Sequence, residues 1–171
     1  MIPIILYGKE TETSVDKALS RACDSLRKIN KNKEFCIFQY NECNIEDLKD
    51  SKGIFVFKGS LGVKKDVVIP KGFIAVVSAN NRSAASILRK INVFAITCGT
   101  SPKDTMSISS LNYLNAVVSL QRIIRNIDGE VIEPQDFIVH LKEETAIYPL
   151  LTALTVFVLC SRDQNENIIS L

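Results

Sequence analysis

The first 100 residues alternate short apolar runs with segments whose apolar residues recur every three or four positions. The short runs are rich in β-branched and aromatic residues, which is typical of buried strands. These predicted strands are Ile2 to Tyr7, Phe35 to Tyr40, Ile54 to Phe57, Phe73 to Val77 and Val93 to Thr97. Helical spacing predicts one helix from Val15 to Ile29 and another from Ser83 to Lys90, whereas Lys64-Lys65-Asp66 predicts a surface loop. Because strands joined by crossover helices pair in parallel, this half predicts a mostly parallel sheet with flanking helices.

The pattern changes after Pro102, where stretches of alternating polar and apolar residues predict further strands. These stretches are Thr105 to Ser109, Ala116 to Arg122 and Phe137 to Leu141. Asp128-Gly129 predicts a tight turn. From Ala146 to Cys160 the chain is apolar on nearly all sides, which predicts a buried helix whose surplus apolar face would meet a partner. The sequence therefore predicts one α/β domain over residues 1 to 171, with a mostly parallel sheet, a β-rich segment and a closing apolar helix.

The charge of the chain is nearly balanced, with 21 basic and 19 acidic residues and a net charge of +2. This balance provides no basic surface for a nucleic acid or an anionic membrane, so we predict neither partner. The apolar start from Met1 to Tyr7 is too short for a signal peptide. The longest apolar run, Ile147 to Cys160, is shorter than the roughly 20 residues that a membrane span needs. We therefore expect a soluble protein in the cytoplasm.

The five cysteines, an odd number, form no CxxC pair, and the chain has one histidine. A disulfide framework and a structural zinc site both require closely spaced ligand pairs, so neither is predicted. Most of the cysteines are expected to be small buried apolar residues. We predict no metal and no cofactor.

The first candidate binding segment is Gly8-Lys9, directly after the first predicted strand and before the first predicted helix. The N-terminus of a helix offers free N–H groups and a partial positive charge to a phosphate. A full P-loop is longer and richer in glycine, and Glu10 stands where Ser or Thr would hold magnesium. An ordinary cap, with Thr11, Thr13 or Ser14 at the helix start, is favoured over a phosphate-binding loop, and both interpretations stay open.

Asn80 and Asn81 form a second candidate, since they follow the strand that begins at Phe73. In open α/β sheets, ligands bind in crevices at the carboxyl ends of the strands, and amide side chains there could bind a polar ligand. The alternative, which we favour, is that Asn80 or Asn81 caps the next helix.

The third candidate is the segment that contains Cys98, Gly99, Lys103 and Asp104, expected at the carboxyl end of another strand. A cysteine followed by glycine suggests a nucleophile, but a catalytic thiol normally needs a base that holds it as thiolate. His140 is the one imidazole of the chain, and nothing in the sequence brings it near Cys98. A structural turn is therefore the favoured interpretation of this segment.

Several stretches from Phe73 onwards run in a recognisable order. They are Phe73 to Asn81, Val93 to Asp104, Thr105 to Leu111, Ala116 to Arg122 and Asp136 to Val158. Together they resemble the latter half of the central domain of the Mur ligases, the ATP-dependent enzymes that add amino acids to peptidoglycan precursors. In that family a strand ending in an Asn/Asp cluster precedes a helix. A strand ending at glycine, a hairpin-like segment and an apolar helix rich in Leu and Ala then follow. The resemblance covers roughly residues 50 to 160, and it implies the same α/β fold.

The departures from the ligase pattern concern the ATP site. Gly8-Lys9 resembles at most a remnant of the ligase P-loop, and Thr145-Ala146 stands where the family has a His-Asn pair that contacts the nucleotide. The chain is also too short to hold the two outer domains of a ligase. The TCG-S-KDT-S-SS pattern from Thr97 to Ser110 is, in addition, similar to that of a group of short bacterial proteins without an assigned function. The resemblance thus implies that the fold was kept and the ATP chemistry lost.

These observations favour a non-catalytic binding domain that lacks the ATP site and binds an unidentified small ligand or another protein. The alternative is a small nucleotide- or phosphate-binding protein or enzyme. Its pocket would comprise Gly8, Lys9, Asn80, Asn81 and the segment from Cys98 to Asp104. A homo-oligomer is compatible with either function.

Overall fold

The computed structural model describes residues 1–61, 66–161 and 167–171. Its helices are α1 (Ser14–Ile29), α2 (Arg82–Leu88) and α3 (Ile147–Cys160), with 3-10 helices at Tyr40–Glu42 and Ile45–Leu48. The strands before Pro102 are β1 (Ile2–Tyr7), β2 (Phe35–Gln39), β3 (Gly53–Phe57), β4 (Phe73–Ser78) and β5 (Ala95–Gly99). Those after it are β6 (Met106–Asn112), β7 (Asn115–Leu120), β8 (Ile124–Arg125), β9 (Val131–Ile132), β10 (Gln135–His140) and β11 (Ile168–Ser170).

Nine of these strands form one sheet in the order β11-β10-β7-β6-β5-β4-β3-β1-β2. In this order, the six strands from β6 to β2 are parallel to one another. Strand β7 is antiparallel to both β6 and β10, and β11 is parallel to β10. Strands β8 and β9 form a separate hairpin. The predicted mostly parallel α/β sheet with a closing helix is confirmed. The predicted β-rich segment extends that same sheet.

Helices α1 and α3 cover one face of the sheet and enclose the larger apolar core. Every residue from Pro149 to Cys160 is buried, which confirms the predicted buried helix. The expected surplus apolar face is not found on that stretch, because α1 and the sheet cover it within the same chain. A smaller core on the other face lies under α2 and the second 3-10 helix. In the described ranges, no helix has the length and apolar character needed to cross a membrane.

One predicted strand begins at a different residue, and three short strands were not predicted. Strand β5 begins at Ala95 instead of Val93, because Ala95 is the residue that pairs with Ala75 of β4. Cys98 and Gly99 therefore lie inside β5 and not in the loop that follows it. Strands β8, β9 and β11 were not predicted from the sequence. The tight turn is confirmed at Gly129, whose φ of 92° suits a residue without a Cβ. The predicted loop at Lys64-Lys65 lies outside the described residues.

Candidate functional site

The carboxyl ends of β1 and β3 approach each other closely at Gly8. A Cβ at this position would lie 2.5 Å from Cβ of Lys58 and 2.8 Å from the backbone oxygen of Ser60. The neighbouring N–H of Lys9 donates a hydrogen bond to that same oxygen over 2.9 Å. Glycine is therefore required here by the close contact of two backbones. The segment after β1 is folded against the end of β3.

Glu12 reaches from this segment to the loop after β3. Its two carboxylate oxygens accept hydrogen bonds from the backbone N–H groups of Gly59, over 3.1 Å, and Ser60, over 2.7 Å. Consecutive backbone N–H groups that converge on one point are a common binding arrangement for phosphate and other anions. A Cβ on Gly59 would lie 2.8 Å from the carboxylate, so glycine also makes room for it. In this protein the anion is the chain's own side chain.

Lys58, the residue after β3, is completely buried although it carries an ammonium group. Its Nζ lies 2.8 and 3.0 Å from the two carboxylate oxygens of Asp16 and 3.4 Å from the backbone oxygen of Lys9. Gln39 donates a further hydrogen bond to Asp16 over 2.6 Å. Asp16 lies in the first turn of α1, where a negative charge also interacts favourably with the helix dipole. The positive charge of Lys58 is thus balanced by Asp16 within the fold.

Asn81 joins the start of α2 to the same group of residues. Its side-chain oxygen accepts a hydrogen bond from the N–H of Ala84, which confirms the predicted cap. Its amide nitrogen donates to the backbone oxygen of Lys58 over 3.0 Å. Both ends of the amide are therefore engaged within the protein, whereas Asn80 is exposed. At α1, by contrast, Thr13 occupies the N-cap position without a side-chain hydrogen bond.

The start of α3 is attached to β3 through Tyr148, whose hydroxyl donates to the backbone oxygen of Phe57. This residue lies just after Thr145-Ala146, and Ala146 is the N-cap of the helix without a side-chain cap. Burial raises the pKa of the Tyr148 hydroxyl, so it stays protonated and remains a hydrogen-bond donor. The carboxyl end of β3 is consequently covered from the α3 side by an uncharged ring.

Cys98 lies on the face of β5 that is turned towards α3, where its Sγ is 3.5 Å from the hydroxyl oxygen of Thr155. Burial raises the pKa of the thiol to about 12, so the thiolate needed of a nucleophile is disfavoured. His140 lies on β10 and contacts Asn115 over 2.7 Å. Two strands separate β10 from β5 in the sheet, a distance on the order of 14 Å. His140 is therefore too far away to act as a base for Cys98.

The loop after β5 is organised by Asp104, which is buried and accepts a hydrogen bond from the N–H of Ser101 over 3.1 Å. A Cβ on Gly99 would lie 2.2 Å from this carboxylate, so the glycine lets the loop fold back onto the strand. Lys103 is exposed beside it. The segment from Ser101 to Asp104 thus forms a compact turn that packs onto Gly99, the last residue of β5.

The structure connects part of the predicted site and adds residues that were not predicted. Gly8, Lys9 and Asn81 all contact Lys58 or its neighbours. Glu12, Asp16 and Lys58 were not singled out as a group. One signal was available for Lys58, because a charge directly after the apolar run Ile54 to Phe57 stands at the strand end where ligands bind in α/β proteins. The contacts of Asp16 and Glu12 with the end of β3, across more than 40 residues of sequence, had no comparable signal.

A second concave surface lies at the opposite end of the sheet, near the amino ends of β4 and β5. It is a groove of about 460 Å³, lined by Ile74, Phe94, Ile123, Ile124, Arg125 and Asn126. Phe94 and Ile123 are more than half exposed, at 53% and 60%.

In the part of the chain that the structure describes, no group of His, Cys, Asp and Glu side chains is arranged to hold a metal ion.

The sequence matches no protein-family model, and it shows no significant similarity to a curated protein. Evidence about function consequently comes from the arrangement of the chain's own residues.

Proposed function

We propose that this chain is a non-catalytic binding domain with a Mur-ligase-like fold, in which the position of a nucleotide phosphate is closed by the protein itself. The observation that supports this proposal best is the carboxylate of Glu12, held by the N–H groups of Gly59 and Ser60. These N–H groups would otherwise be free to bind an anion at the carboxyl end of β3. A phosphate could reach them only after Glu12 had moved away.

The charges around Glu12 also oppose a polyphosphate. Glu10 precedes it on the same exposed segment, and Asp16 follows on α1. Lys58, which could have balanced a phosphate, is completely buried against Asp16. A triphosphate entering this region would be repelled by the carboxylates. It would also lose hydration without forming an ion pair with Lys58, which is unfavourable.

The binding surface in this proposal is the groove lined by Phe94 and Ile123. Its volume of about 460 Å³ lies within the range of about 300–1,000 Å³ that small-molecule sites occupy, and its lining is mostly apolar. Large apolar side chains left half exposed around a concave surface are typical of binding sites. The ligand is accordingly an apolar small molecule or an apolar side chain of another protein.

A thermal-shift measurement with Mg-ATP, ADP and inorganic phosphate tests the closed phosphate position. A ligand present at about 100 times its Kd stabilises a protein by about 2.7 kcal/mol. For a chain of this size, that free energy corresponds to a rise in Tm of roughly 5–11 °C. We expect the parent protein to show no such rise. Magnesium-dependent stabilisation or turnover that disappears in Lys9→Ala would refute the proposal.

The variant Glu12→Ala gives the matching positive measurement, with Glu133→Ala as a control, since Glu133 is an exposed glutamate outside the site. Removing the carboxylate frees the N–H groups of Gly59 and Ser60. We expect weak stabilisation by inorganic phosphate in Glu12→Ala and none in Glu133→Ala. If both variants behave like the parent protein, Glu12 does not guard an anion position.

A further inference from the structure

Among the strands that the structure describes, β2 is the outermost of the sheet and pairs with β1 alone. The N–H of Ile2 donates to the backbone oxygen of Glu34, and the parallel pairing continues from there without a register shift. In a parallel pair, every second residue turns its backbone groups towards the neighbour and the residues between turn theirs away. The outward set of β2 is therefore Phe35, Ile37 and Gln39.

The sequence of β2, Phe-Cys-Ile-Phe-Gln, contains none of the features that usually protect an edge strand. It has no charged residue, no proline and no bulge, and Cys36, Ile37 and Phe38 are each partly exposed. Such an edge is a template for pairing with another strand. One outward group is occupied, because Arg27 donates to the backbone oxygen of Phe35 over 2.8 Å. A carbonyl oxygen has two lone pairs, so this oxygen can accept a second hydrogen bond.

We propose that β2 pairs with β2 of a second copy of the chain, in antiparallel orientation around a two-fold axis at Ile37. In this arrangement the N–H of each Ile37 donates to the backbone oxygen of Ile37 in the other copy. The N–H of each Gln39 donates to the backbone oxygen of Phe35 in the other copy. On the two faces of the joined sheet, Ile37 lies beside Ile37, and Cys36 lies beside Phe38. All of these side-chain pairs are apolar, which favours cross-strand pairing.

A second copy suits this edge better than an unrelated extended peptide because the strand is complementary to itself. A two-fold axis at residue 37 sets each residue opposite the one equally far on the other side. Directly beyond the strand, the exposed Glu34 of one copy therefore lies opposite Tyr40 of the other, at both ends of the interface. No two like charges face each other in this register, and like charges directly opposite would be destabilising.

Sedimentation velocity across a wide range of protein concentration tests the proposal. We expect the parent protein to form a dimer with twice the monomer mass of 19.0 kDa. Cys36→Lys places a charge in the interface and should give a monomer with an unchanged circular dichroism spectrum. Ile168→Lys places the same charge on an exposed residue of β11, at the other edge of the sheet, and should remain a dimer. A monomeric parent protein, or a dimer that survives Cys36→Lys, overturns the proposal.

A cross-linking variant tests the register. Residues in a hydrogen-bonded antiparallel pair have Cα atoms about 5.5 Å apart, within the range of about 4.4–6.8 Å that a disulfide spans. Ile37→Cys, in a Cys36→Ser background, should form a covalent dimer through residue 37 on oxidation, as mapped by mass spectrometry of the peptides. Gln39→Cys in the same background should form no such cross-link, because position 39 of one copy lies opposite position 35 of the other and four residues away from its position 39. Cross-linking through position 39 and not through position 37 would exclude the proposed pairing.

Discussion

The burial of the ion pair between Lys58 and Asp16 predicts that removing Asp16 costs much more stability than removing Lys58. Lys58 is completely buried, whereas the side chain of Asp16 is 25% exposed. In Asp16→Ala the ammonium group keeps the backbone oxygen of Lys9 at 3.4 Å and loses its carboxylate. Leaving one charge of a buried pair uncompensated costs about 3–5 kcal/mol. Loss of a carboxylate from the first turn of α1 adds about 0.3–1 kcal/mol.

Lys58→Met removes the buried charge and leaves Asp16 with partial compensation. The Asp16 side chain is 25% exposed, Gln39 still donates to its Oδ1 over 2.6 Å, and the dipole of α1 favours its charge. Its buried Oδ2 loses the contact with Lys58. Methionine is flexible, apolar and close to the volume of the lysine stem, so it fills most of the vacated space. Volume-conserving changes of this kind usually cost less than about 1.5 kcal/mol. The double variant Asp16→Ala/Lys58→Met should therefore be more stable than Asp16→Ala alone.

Urea unfolding of the four proteins, followed by circular dichroism, provides the free energies of unfolding and the coupling between the two positions. Asp24→Ala is the matched control on the same helix. Its carboxylate pairs with Arg27 at the surface, where both side chains are at least half exposed. Exposed pairs of this kind contribute about 0–1 kcal/mol. If Asp16→Ala costs no more than Asp24→Ala, Lys58 reaches water after a small rearrangement, and the argument from burial is wrong.

Two further predictions concern the core. Leu154 is fully buried in α3, so Leu154→Ala should lower the free energy of unfolding by about 2–5 kcal/mol and Tm by roughly 4–20 °C. Lys142 is exposed, so Lys142→Ala should leave Tm nearly unchanged. Differential scanning calorimetry measures both. An unchanged Tm in Leu154→Ala would contradict the packing of α3 described above. Burial raises the pKa of Cys23 to about 11 and that of Cys98 to about 12, from 9.0, so the unfolded chain loses these thiol protons first. The stability that the protonated thiols contribute is present below pH 9.0 and falls as the pH rises from there towards 12. Urea unfolding midpoints measured at increasing pH should therefore decline less in Cys98→Ala than in the parent protein.

The strands that the sequence predicts well are those buried on both faces. Every residue from Gly53 to Phe57 is buried, so β3 appears as an uninterrupted apolar run. Strand β5 was shifted because Val93 and Phe94 are apolar without belonging to the strand, and Phe94 lines the groove instead. Strand β11 has three residues, and two of them are exposed, which leaves too little pattern to detect.

The candidate site was predictable in position but not in chemistry. The segment at Gly8 and the residue Asn81 were identified because the ends of strands and the starts of helices carry local signals. Glu12 was not identified from the sequence, because its contacts with Gly59 and Ser60 depend on how two distant loops fold together. Such contacts are set by tertiary structure, and a single sequence carries no local pattern for them.

The unequal size of the two cores has a consequence for how the molecule opens. The face under α1 and α3 encloses a large apolar cluster, while the face under α2 encloses a much smaller one. Segments with few buried apolar contacts unfold locally at a lower free energy than the global transition. The amides of α2 should therefore exchange with solvent hydrogen sooner than those of α3. Asn81, at the start of α2, donates to the backbone oxygen of Lys58, so each such opening also releases one support of the loop at Gly59 and Ser60 that binds Glu12.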